Sequence, residues 1–69
     1  MSIVDEYHFR VDWSEDDWKF VGRCEEFPSL SWLASTEDRA LEGIRRLVEN
    51  VTEDMMRHGE TIPAPKSVR

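Results

Sequence analysis

Cysteine is nearly absent from this chain. Cys24 is the single one among 69 residues, so no intramolecular disulfide can staple the fold, and no second Cys or nearby His gives it the ligand spacing of a zinc site. Small secreted domains usually depend on such staples. Also missing are any run of roughly 18 apolar residues and, over Met1–Glu6, a basic and then apolar leader. These absences predict a cytoplasmic protein with no membrane association. Positive charge is scarce as well: 9 basic residues stand against 15 acidic ones, for a formal net charge of −6. Such a potential repels phosphate backbones and anionic lipid and attracts a basic protein.

Aromatic bulk is what the chain does have. A domain this short leaves about 40% of its unfolded-state surface exposed when folded, so its core has to be compact. Three Trp, three Phe and one Tyr are expected to supply that bulk, each able to bury on the order of 150–250 Å².

Tyr7 to Trp13 alternates apolar and polar side chains, the period-2 pattern of a half-buried strand. Ser14-Glu15-Asp16-Asp17 reads as a polar connection and Trp18 to Cys24 as the returning strand of a hairpin. With that loop, Trp13 faces Trp18, Val11 faces Phe20, Phe9 faces Gly22 and Tyr7 faces Cys24, while Asp12 opposes Lys19 on the other side. Pro28 lacks an amide and breaks the pattern, so Glu25 to Ser29 is expected to be a loop. Leu30 to Ala34 follows as a third strand, with Leu30, Trp32 and Ala34 inward and Leu33 on the opposite face.

Ser35-Thr36-Glu37-Asp38 is a helix entry, a hydroxyl cap followed by acids in the first turn. Ala40, Leu41, Ile44, Leu47, Val48, Val51 and Met55 then form one apolar stripe. Gly43 interrupts the helix at about 1 kcal/mol relative to Ala, and reads equally as a close approach or as a tolerated glycine. Gly59 after His58, with Pro63 and Pro65 beyond, stops the helix. A helix from Thr36 to His58 spans ~35 Å, against ~23 Å for a seven-residue strand. Its far end is therefore expected to overhang the sheet, leaving Val51, Met55 and Met56 uncovered. Together with Leu33 and an open edge strand, these are the self-association candidates.

The expected architecture is a single α+β domain over residues 1–69, a three-stranded antiparallel meander packed on one long α-helix, with room for a short fourth strand. Its folded core covers about residues 3–60, and 61–69 form an extended or disordered tail.

The ordered set of features resembles the N-terminal domain of HicB-family antitoxins: Trp13-Ser14-Glu15-Asp16-Asp17 ending the first strand, then Phe20-Val21-Gly22-Arg23-Cys24-Glu25-Glu26-Phe27-Pro28-Ser29-Leu30, a Ser-Thr helix entry, Ala40-Leu41-Glu42 and Gly59-Glu60-Thr61-Ile62-Pro63. It runs from about Tyr7 to Pro65; each piece alone is ordinary strand, turn or cap chemistry. The resemblance implies a partial RNase H-like fold and an antitoxin that covers the catalytic surface of a small basic HicA-like toxin, an mRNA-cleaving ribonuclease. Family members often continue into a DNA-binding segment. The chain stops soon after Pro65, so direct nucleic-acid binding is expected only if such a segment is missing from this sequence.

Glu15, Asp16 and Asp17, with Glu25 and Glu26 in the next loop, are the toxin-contact candidates; the bland reading of the same residues is a solvated hairpin tip. Neither a catalytic residue nor a metal ligand or cofactor site is expected. Two-metal hydrolysis needs several converging carboxylates, and Asp12 is the one acid inside the first strand. Cys24 reads as a small core residue, and His8 and His58 as surface groups. The alternative from another class is an orphan homo-oligomeric interaction or ligand-binding domain with no cognate toxin. A short basic protein encoded beside it would discriminate the two.

Overall fold

The computed structural model describes residues 3–66. A 3-10 helix, Ile3–Glu6, is followed by β1 (Phe9–Ser14), β2 (Lys19–Cys24), β3 (Phe27–Ala34) and α1 (Glu37–Arg57). The strands form an antiparallel meander in the order β1-β2-β3, and α1 packs across one face of it, the α+β arrangement expected from the sequence. Among the described residues no fourth strand forms. The last part of the expected tail, 67–69, lies outside the described residues.

Phe9, Val11 and Trp13 share a sheet face with Phe20, Gly22 and Cys24, as the alternation requires, but each pairing is displaced by two residues. Trp13 opposes Phe20, Val11 opposes Gly22 and Phe9 opposes Cys24. Because the displacement is even, every side chain keeps its face. Tyr7 and Trp18 fall outside the ladder, and Asp12 opposes Val21 instead of Lys19. The cause is the loop, which is Glu15 to Trp18: Trp18 adopts a left-handed φ of 52°, and Ser14 Oγ donates to Asp17 Oδ2 at 3.0 Å. Gly22 is covered by the helix. A Cβ there would run into the Ala40 carbonyl oxygen and lie 2.8 Å from Ile44 Cγ2.

β3 begins at Phe27, three residues earlier than the proline suggests. Cys24 pairs with Phe27 across the Glu25-Glu26 turn, and Arg23 then pairs with Ser31, so Pro28, Ser29 and Leu30 bulge out of the ladder where a missing amide is tolerated. Beyond the bulge Trp32 opposes Gly22. Its indole occupies the space that a Cβ on Gly43 would need, which assigns that glycine to a close approach.

The helix begins and ends where its caps predict. Thr36 is the N-cap, its Oγ1 accepting from Arg39 N at 3.2 Å, and His58 is the C-cap. Ala40, Ile44, Val48 and Thr52 are its buried residues. The Thr52 hydroxyl donates to Glu49 O at 3.0 Å, which satisfies a polar group on an apolar face. No helix among the described residues is long and apolar enough to cross a membrane.

The core is Val4, Tyr7, Cys24, Phe27, Ile44 and Val48, with Phe9, Leu30, Leu47, Val51 and Met55 partly buried against it. Two expectations are corrected here. The tryptophans do not fill the interior: Trp13, Trp18 and Trp32 are all exposed. Phe20 leaves the Phe9–Ile44 core as well and packs on Trp13, ring centroids 5.0 Å apart. Val51 and Met55 are not left open either, because the 3-10 helix and the tail extend the packing beneath the overhanging helix. There Glu60 N donates to Met55 O at 2.8 Å, Tyr7 Oη donates to Pro63 O at 2.7 Å, and Val4 is buried. Counting strands alone omitted both segments.

Candidate protein-interaction surface

The β1–β2 hairpin extends beyond the core and ends in an aromatic cluster set among acids. Trp13 stands edge-on to Phe20 and to Trp18, the latter at 5.9 Å between centroids with planes 80° apart. Trp18 is 77% exposed and Trp13 46%. Left-handed backbone at a residue with a Cβ costs about 1–2 kcal/mol, so the loop is strained at the residue that holds an indole in solvent. Glu15, Asp16 and Asp17 are exposed in the same loop. On the β1 side, Phe9 and Val11 face Leu41, Glu37 and Asp38 across a shallow groove of ≈ 380 Å³. Leu41 is exposed although it belongs to the sequence stripe. Acids and large apolar groups thus alternate over this side of the molecule.

Of the predicted contact residues, the structure brings Glu15, Asp16 and Asp17 together at the hairpin tip; Glu25 is exposed at the opposite end of β2, in the turn that leads to β3, so it does not join them, and Glu26 is removed from the surface. Glu26 is 7% exposed. Its Oε1 accepts from His8 N at 2.9 Å and from the Cys24 thiol at 3.5 Å. Its Oε2 accepts from His8 Nδ1 at 2.8 Å and from Lys66 N at 2.8 Å. Burial alone would raise its pKa, yet the donated hydrogen bonds from His8 N, Lys66 N and the His8 ring outweigh it and bring the carboxyl down to about 2. Glu26 is therefore a buried staple between the start of β1 and the tail, and cannot meet a partner's cation. His8, read from sequence as a surface group, belongs to the same cluster.

Burial pushes the Cys24 thiol up, which disfavours the thiolate, and the same cause comes first in raising Tyr7. Asp12 sits on the open sheet face beside Arg10, 3.4 Å away. Among the described residues no group of three or more His, Cys, Asp and Glu is arranged to hold a metal ion. His58 Nδ1 donates to Asp54 O at 2.8 Å at the helix end, as a C-terminal cation-compatible group should.

Of the self-association candidates, Leu33 and Met56 are exposed, while Val51 and Met55 pack against the core. Sequence reasoning missed Trp18 and Trp32 as surface groups because large aromatics default to the interior. The available signal for Trp18 was the run of acids before it; no local pattern marks Trp32 as exposed. Compared with protein-family models, with curated proteins and with solved structures, the chain matches none.

Proposed function

We propose that this chain is an antitoxin-type binding module of the HicB kind, which neutralises a small basic, mRNA-cleaving toxin of the HicA kind by covering its active site. The observation that carries the reading is the exposed Trp13–Trp18 pair at the acidic hairpin tip. Interfaces concentrate binding energy in a few aromatic anchors that become fully desolvated, ringed by polar groups of lesser effect. The hairpin presents that arrangement, with Glu15, Asp16 and Asp17 as the rim. The net charge of −6 steers a basic partner toward it.

Inhibition on this reading is steric and needs no chemistry from the antitoxin. The indoles occupy the toxin surface and the carboxylates occupy its cations, so RNA loses both its path and its counter-charges. The chain itself has no catalytic role. The test is co-expression with the short basic protein encoded beside it, scored by rescue of growth and by co-purification. Neither rescue nor a complex would end the antitoxin reading. In a complex that forms, reversing Glu15, Asp16 and Asp17 to Lys should slow association and flatten its salt dependence, and unchanged kinetics would exclude the hairpin tip as the contact.

A further inference from the structure

The two edges of the sheet are guarded differently. β1 carries Arg10 and Asp12, charges that discourage another strand from pairing beside them. β3 has no ionisable residue from Phe27 to Ala34; its one guard, Pro28, lies in the bulge at its far end from the exposed Trp32 and Leu33, 44% and 46% accessible. An uncharged edge of this kind is a template for another strand.

Above the same edge runs a groove of ≈ 610 Å³ between β3 and α1. Its floor is Trp32, and Lys19, Arg39, Glu42 and Arg46 line it. Glu42 and Arg46 have the four-residue spacing that favours pairing on a helix surface, yet neither makes an ion pair among the described residues.

We infer that a second copy of this chain docks here, β3 running antiparallel to the partner's β3 about a two-fold axis near Trp32, with both helices on one face of the joined sheet. The pattern of charges selects a copy of the chain over other occupants. A two-fold axis brings each patch against itself, so the patch has to be self-complementary. Trp32 lies against Gly43, so an axis at Trp32 passes the helices close to Gly43. Glu42 of one protomer then meets Arg46 of the other, and the contact occurs twice. The groove's surplus of cations, Lys19 and Arg39 beside the Glu42 and Arg46 pair, favours an acidic occupant, which a copy of this chain is at a net charge of −6. The two Trp32 indoles fall at the centre, where buried aromatic anchors concentrate in interfaces. This inference does not depend on the antitoxin reading, because the β1 side and the hairpin tip stay free.

The test is the oligomeric state by light scattering over a concentration series, with circular dichroism to verify folding. The wild-type chain should reach twice its monomer mass. Glu42→Arg and Arg46→Glu should each weaken self-association at least about tenfold, since like charges then meet at both contacts. Mixing these two variants should restore a heterodimer, because each cross-chain contact again joins opposite charges. A pairing within one helix predicts no such rescue. The control pair Glu53→Arg and Arg57→Glu, exposed and equally spaced but outside the groove, should not associate on mixing. Leu33→Lys, which charges the edge on the opposite sheet face, should also give monomer. A wild-type chain that stays monomeric to its solubility limit, or a mixture that fails to form heterodimer, would overturn the inference; so would an edge that retains its dimer after Leu33→Lys.

Discussion

One end of the molecule is closed and the other open. Where the segment before β1 meets the tail after α1, Val4, Tyr7, Cys24, Phe27 and Val48 pack around a buried carboxylate that holds the entry to β1 and the tail together. At the hairpin tip Trp13 packs edge-on against both Phe20 and Trp18, and the chain accepts backbone strain at Trp18, which stays outside. The closed end buries its side chains almost completely, so each contributes a large share of its transfer free energy, about 1.5–3 kcal/mol for a residue such as Val48. The open end keeps two tryptophans in solvent. If the tip binds a partner as proposed above, stability and recognition are carried by different residues, and substitutions should separate them.

Gly22→Ala should have the largest effect. Its Cβ meets a helix carbonyl that cannot rotate away, so lifting α1 off the sheet should cost about 3 kcal/mol or more, read as a loss of most of the folded signal in urea titration. Gly43→Ala should be milder, since the obstructing Trp32 is a half-exposed side chain that can turn.

Glu26→Gln comes next and probes the closed end. The replacement keeps the volume but replaces charge-assisted acceptors for His8 N and Lys66 N, which should cost about 2–3 kcal/mol. The pH dependence has a definite sign. A carboxyl near 2 when folded and 4.5 when free stabilises the fold above pH 4.5, and that contribution, about 3 kcal/mol, is lost as pH falls toward 2. Stability measured from pH 6 to 2 should fall less steeply in Glu26→Gln than in wild type; parallel curves would exclude the staple.

Thr36→Ala should remove about 1 kcal/mol by uncapping α1, visible as a small decrease in the denaturant midpoint. Smallest for the fold, and most informative for the contrast, is Trp18→Gly. Glycine accepts a φ of 52° without strain, so the thermal midpoint should stay level or rise while binding of the basic partner drops by tenfold or more. A variant that loses stability in step with binding would mean that the tip belongs to the core after all.

Much of this was legible from local pattern. The helix limits could be read to the residue because capping is local chemistry: Thr36, the acids after it, His58 and Gly59 act within one turn of their own positions. Strand faces were legible through alternation, and the hairpin's pairing was not, because φ at Trp18 decides where the loop closes and no local rule favours a tryptophan there. Of the expected acidic patch, Glu15, Asp16 and Asp17 were legible; Glu25 lies at the other end of β2, because a strand separates the two turns, and Glu26 carries the same side chain as Glu25 and differs only in what folds over it.

Local sequence thus determined the order of elements, the inward and outward positions and the ends of the helix, since each follows from interactions within a few residues. Only the tertiary structure decided that a carboxylate would be buried and the tryptophans exposed. The first depends on segments distant in the chain, the residues before β1 and the tail after α1, arriving at the same place, and the second on where the loop closes at Trp18 and on how Trp32 seats against Gly43 of the helix.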